Sequence, residues 1–195
     1  MTYRTSSIQS YLWFILIGLI LLVIINGAGG AQTFKTQWTV IHYQENSDLQ
    51  KMNQRIEFTQ AEKFLQNYFF TPDPAQNALA PGLAAKIDGL FYRVCSILPA
   101  CSKKLPSLHI FLLKNCQQIS QLHQALSAFQ DSPISSPGCF GIFNPQQNAI
   151  FLSLDDLGAG ILAHEMTHFL LSQYQPIPRH DFQEDWGHYV ESHLE

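Results

Sequence analysis

Residues 157–174 read LGAGILAHEMTHFLLSQY, and the five at the centre, His164-Glu165-Met166-Thr167-His168, decide how the chain is read. Apolar residues flank them on both sides (Ile161, Leu162, Ala163, Phe169, Leu170, Leu171), which predicts one buried helix, with Ser153 and Asp156 as a capping pair at its start. In a helix, residues four apart stand one turn above another on the same face. Both imidazoles can therefore point at one ion, and Glu165 lies within reach of a water bound to it. With 8 His and 7 Glu in 195 residues, chance produces an H-E-x-x-H pattern in about one such chain in a hundred. The alternative, a solvated face that happens to carry these letters, conflicts with the apolar surroundings, because unpaired buried His and Glu are costly. Five of the eight histidines also fall between 164 and 195.

A catalytic zinc site takes three protein ligands and leaves a fourth position to water. Pro176 and Pro178 end the first helix, since proline disfavours helix in itself and in the residue before it. Residues 180–195, HDFQEDWGHYVESHLE, then carry Phe182, Trp186, Tyr189, Val190 and Leu194 at the spacing of a second amphipathic helix. Glu184, in its first turn, is the candidate third ligand. It competes with a reading in which Asp181 and Glu184 form a capping box, and with Glu191, His180, His188 and His193 as other ligands.

The LAHEMTH helix followed by a second helix of the form E-x-x-small-x-Tyr-Val resembles the gluzincin branch of the zincin metallopeptidases. The matching letters are Glu184-Asp185-Trp186-Gly187-His188-Tyr189-Val190. The stretch GCFGIFNPQQNAIFLSLDD, 138–156, is similar to the strand pair that leads into the active helix of that fold. The resemblance covers about residues 138–195. It implies His164, His168 and Glu184 as ligands of one zinc ion and Glu165 as the base. It also implies an acidic residue four positions after the ligand Glu, where this chain has His188, and a later domain supplying an oxyanion donor. Candidates for that donor here are His188, Tyr189 and Tyr174.

Residues 12–25, LWFILIGLILLVII, are uncharged, with Arg4 before them and Asn26-Gly27-Ala28-Gly29-Gly30-Ala31 after. This reads as a signal peptide cleaved before Gln32 or, extended over 11–31, as an uncleaved anchor. Either way residues 32–195 are expected outside the cytoplasm, in the periplasm or secreted. All four cysteines follow the leader, and an even count in an oxidising compartment suggests two disulfides. Cys95–Cys101 and Cys116–Cys139 are the favoured pairs.

About 164 residues follow the leader, enough for one domain with its own core. The formal charge of −4, without basic runs, excludes a nucleic-acid footprint. Residues 32–55 read as a linker or a first strand (Gln37–His42), and 56–195 as the domain. Helices are expected over 56–70, Leu83–Leu98 and Ile119–Phe129, a loop over 71–82, and strands at Leu108–Leu113, Phe140–Phe143 and Ala149–Leu152. This is an α+β fold, zincin-like through the resemblance: a small mixed sheet with an edge strand packed on the active-site helix and the ligand helix after it. Phe140, Gly141 and Ile142, if at that edge, would pair with an extended peptide substrate. The expected activity is zinc-dependent peptide hydrolysis. The alternative is a zinc-containing module that binds a peptide or an envelope partner without cutting it. The membrane is engaged only through the leader, and a monomer is the default.

Overall fold

The structure is a computed structural model and describes residues 31–58, 78–80, 82–98, 105–127, 140–174 and 179–194. Among these, five helices and one five-stranded mixed sheet form an α+β fold. In chain order the elements are β1 (Gln32–Lys35), β2 (Thr39–Tyr43), α1 (Asn46–Arg55), α2 (Leu83–Ile97), β3 (Leu108–Leu113), α3 (Cys116–Ser127), β4 (Gly141–Asn144), β5 (Ala149–Ser153), α4 (Ala159–Ser172) and α5 (His180–Ser192).

The sheet order is β1-β2-β3-β5-β4. The three central strands run parallel, and each outer strand is antiparallel to its neighbour. Alternation along the strands divides the side chains between two faces. One face presents Phe34, Ile41, Leu108, Ile110, Ile150 and Leu152 to the main core, where α1, α2, α4 and α5 contribute Leu49, Met52, Phe91, Met166, Phe169 and Val190. The other presents Phe111, Leu113, Ile142 and Phe151 to Ile119, Leu122 and Leu126 of α3. Apart from the half-buried Phe111, these side chains are buried, and each fully buried one contributes about 1.5–3 kcal/mol relative to leaving it in water.

Of the two readings of residues 32–55 the strand is the one found, at Thr39–Tyr43 against the expected Gln37–His42, and the segment also supplies β1 and α1. The β1–β2 turn is tied to α2 by Asp88, which accepts hydrogen bonds from Thr36 Oγ1 at 2.6 Å and from the Gln37 amide at 3.1 Å. The α1 start is held by Asp48, whose carboxylate accepts from the Glu45 amide at 3.0 Å and pairs with Lys114 at 2.7 Å. The expected helix at 56–70 lies outside the described residues beyond Phe58, and 56–58 are not helical. Most of the 71–82 loop, the leader and its apolar run also lie outside them. Among the described residues no helix is long and apolar enough to cross a membrane. Cys101 and Cys139, one member of each expected disulfide, lie outside the described residues as well.

Two features of this fold position the site. Strand β4 lies at the edge of the described sheet, as the sequence reading expects. Helix α4 packs beneath β4 and β5, with α5 folded back along it.

Candidate metal centre

Helix α4 starts two residues later than expected. Gly158 is its N-cap and is extended (φ −152°, ψ 168°). Ser153 and Asp156 bond to each other, Oγ donating to Oδ2 at 2.7 Å, and close the turn before the helix instead of capping it. The extended Gly158 separates that turn from the helix. Along α4, Leu162, Ala163, Met166, Phe169 and Leu170 are fully buried, and Glu165 and His168 are buried among them. The hydroxyl of Thr167 is satisfied within the helix, donating to the Ala163 carbonyl at 2.9 Å.

His164 and His168 bring their Nε2 atoms to 3.1 Å. The Glu184 carboxylate from α5 completes a triangle, with Oε2 3.4 Å from His164 Nε2 and Oε1 3.3 Å from His168 Nε2. An ion bonded tetrahedrally to two imidazole nitrogens and a carboxylate oxygen, at about 2.0–2.1 Å, needs ligand atoms about 3.3–3.4 Å apart. The two Nε2 atoms lie about 0.2 Å inside that spacing and Glu184 turns a different oxygen to each, so the three side chains could hold a small cation after a slight adjustment, their ligand atoms all lying within 4.8 Å of one another. Burial lowers the pKa of both imidazoles, His168 to about 4, so their ligating neutral form is favoured at neutral pH. The outer nitrogens face acceptors: His168 Nδ1 lies 3.5 Å from Gln183 Oε1 and His164 Nδ1 lies 3.8 Å from Glu191 Oε2. Binding an ion between the Nε2 atoms would require both imidazoles to carry their proton on Nδ1.

Glu165 lies on the strand side of this cluster. A Cβ added to Gly141 at the start of β4 would stand 2.8 Å from Glu165 Oε1, so the carboxyl rests on bare backbone of the edge strand. Burial first, and the nearby Glu184 charge second, raise the Glu165 pKa to about 8. On the other side His164 rests on α5 at Gly187, where a Cβ would stand 2.6 Å from Cε1 and 2.7 Å from Nδ1. The small residue three after Glu184 thus sets how closely the two helices approach.

The remaining candidates separate clearly. The Asp181–Glu184 capping box is absent: Arg179 is the N-cap of α5 and pairs with Asp181, while Glu184 faces the imidazoles. Glu191 meets the outer nitrogen of His164, not the inner one. His180 stands beside the triangle, its Nε2 3.2 Å from Glu184 Oε1. His188 is largely exposed and meets the His164 ring edge-on at 5.0 Å. His193 is turned away, its Nδ1 2.8 Å from the Tyr189 carbonyl and its ring stacked on Tyr189 at 4.0 Å. Tyr189, 47% exposed, lies on the outward side of α5 between His193 and Trp186. Tyr174 packs against the main core at the end of α4. Phe140 is 51% exposed just before β4, and its carbonyl accepts the Ser153 amide at 3.1 Å. Sequence reasoning did not single out Gln183, or the supporting role of Gly141. Their signal is the distance between elements, which no local pattern carries.

No protein-family model, no curated protein and no solved structure matches this chain.

Proposed function

We propose that the protein is a zinc-dependent metallopeptidase with a zincin-like fold of the gluzincin type. The observation that carries this reading is the triangle of His164 Nε2, His168 Nε2 and Glu184 carboxylate, with edges of 3.1–3.4 Å and a buried Glu165 next to it on the same helix. Zinc held there supplies a Lewis acid that makes a water acidic near neutral pH and polarises a carbonyl. Glu165 is the general base: it accepts the water's proton and later delivers it to the amine nitrogen as the C–N bond breaks. The water's oxygen ends in the new carboxyl group. Phe140, Gly141 and Ile142 at the sheet edge hold an extended peptide by main-chain pairing, which places its carbonyl beside the base. His180, 3.2 Å from Glu184, and His188, edge-on to the His164 ring, would stabilise the developing oxyanion. The leader 11–31 puts this activity outside the cytoplasm, released or tethered, where Cys95–Cys101 and Cys116–Cys139 are disulfides.

A second reading, a zinc-bearing module that binds peptides without cutting them, is favoured by the outward position of Tyr189. One variant separates the two. Glu165→Gln keeps one zinc per chain and reduces cleavage of an unstructured protein by at least about 10²-fold, the low end of general-base contributions. Cleavage at the parental rate removes Glu165 from this role, and no cleavage by the parent leaves the binding module. A parent that takes up no zinc sinks both readings.

A further inference from the structure

We propose that the outer side of α5 is a membrane-docking face whose occupant is the bilayer that the leader enters, an inference that rests on the tethered form of the reading above. Phe182, Trp186, Tyr189 and His193 follow one another at spacings of four, three and four, so they form one stripe along the helix. Each ring meets the next: Phe182 and Trp186 at 6.2 Å, Trp186 and Tyr189 at 5.5 Å, Tyr189 and His193 at 4.0 Å. Trp186 rests against the main core. Phe182 and Tyr189 are half exposed, two of the three large apolar side chains that stand exposed among the described residues. Single exposed apolar side chains are ordinary on a protein surface, whereas a connected row marks an interaction surface.

The position of the leader selects the occupant. Its apolar run ends at Ile25 and β1 begins at Gln32, so residues 26–31 can carry the sheet no more than about 20 Å from the bilayer. The stripe ends in the same part of the domain. Arg93 of α2 donates to the carbonyls of His193 and Leu194 at the end of α5, at 2.8 and 3.2 Å. Asp88, five residues and about 8 Å earlier on α2, holds the β1–β2 turn through Thr36 and Gln37. From that turn β1 runs back only about 10 Å to Gln32. Tryptophan and tyrosine, with apolar bodies and polar tips, suit the headgroup layer of such a bilayer. Glu184 is two residues from both Phe182 and Trp186, on the opposite side of the helix. Docking the stripe therefore leaves the metal triangle facing water, and the substrates served are polypeptides of the aqueous compartment.

The test reconstitutes the full chain in phosphatidylcholine vesicles, with and without bromine high on the acyl chains. Trp13→Phe and Trp38→Phe leave Trp186 as the sole tryptophan. Flotation of the vesicles after an alkaline wash reports insertion of the leader. The expected result is a chain that floats and whose Trp186 emission is lost in brominated vesicles. Adding Phe182→Ser and Tyr189→Ser should restore that emission, with the far-ultraviolet circular dichroism of the parent retained. A floating chain whose Trp186 is indifferent to bromine overturns the docking face while the tether stands. Protection of Trp186 from aqueous iodide in that chain would assign the stripe to a second copy instead. A chain that does not float removes the tether and the docking together, whereas its zinc content and peptide cleavage decide the peptidase reading separately.

Discussion

Replacing Gly187 by Ala should move stability and metal affinity independently. Gly187 is buried within α5, and Ala is favoured over Gly in a helix interior by about 1 kcal/mol. In a domain of this size, that is a rise of roughly 2–4 °C in melting temperature. The new methyl, however, would start 2.6 Å from His164 Cε1, 2.7 Å from Nδ1 and 2.9 Å from Nε2, where ordinary contact begins at 3.4 Å. The ring has to retreat by about 0.8 Å, because all three atoms lie on the side facing α5. In the metal-free protein the imidazole can swing aside at little expense, so the melting temperature should hold or rise. A zinc ligand has no such freedom, since bond lengths tolerate only about ±0.2 Å. Zinc affinity should therefore fall at least about 100-fold, which corresponds to roughly 2.7 kcal/mol. The assay is chelator competition for zinc together with thermal unfolding in the presence of a chelator. A Gly187→Ala protein that binds zinc within twofold of the parent would refute the packing of His164 on α5.

Gly141→Ala should leave zinc affinity near parental and lower peptide cleavage about tenfold or more, because its methyl would lie 2.8 Å from Glu165 Oε1 and displace the base; cleavage kinetics beside zinc stoichiometry decide this. Glu184→Ala should lose zinc while keeping the far-ultraviolet circular dichroism of the parent, and retained stoichiometric zinc would transfer the ligand role to Glu191 or His180. His42 bears on acid stability. Burial, and then the neighbouring His109, lower its pKa from 6.5 to about 4, so the unfolded chain binds the proton more readily than the folded one. That contribution is complete above about pH 6.5 and is lost as the pH falls toward 4. The difference between urea midpoints at pH 7 and pH 5, measured with chelator present, should shrink in His42→Phe, and an unchanged difference would rule His42 out as a source of acid lability.

Much of the centre of this molecule is legible in local sequence. The helix over 159–172, the turn NPQQN between two strands, and the amphipathic helices over 83–97 and 180–192 follow from apolar periodicity and from the positions of proline. The edge position of β4 follows less directly, since strand order depends on how β3 and β5 come together in parallel across α3. The segment 46–55 shows why periodicity sometimes fails. Leu49 and Met52 are its only large apolar residues, too few to mark a helix against a polar background, yet both are fully buried. Of residues 32–55, only the strand near Gln37–His42 was legible; β1 and the helix at 46–55 were not.

The pairing of His164 with His168 was determined by the sequence alone, because a spacing of four places two side chains on one face of any α-helix. The place of Glu165 beside them on the same helix follows from the same local geometry. Which acid closes the triangle was decided only by tertiary structure. Glu184 and Glu191 are seven residues apart on one face of α5, and their letters are interchangeable in any periodic reading. The crossing of α5 over α4, set by the closeness that Gly187 and Gly160 permit, brings Glu184 to the inner nitrogens and Glu191 to an outer one. Contacts between elements depend on distances that a one-dimensional pattern does not contain, and ligand geometry is fixed to within a few tenths of an ångström by those distances.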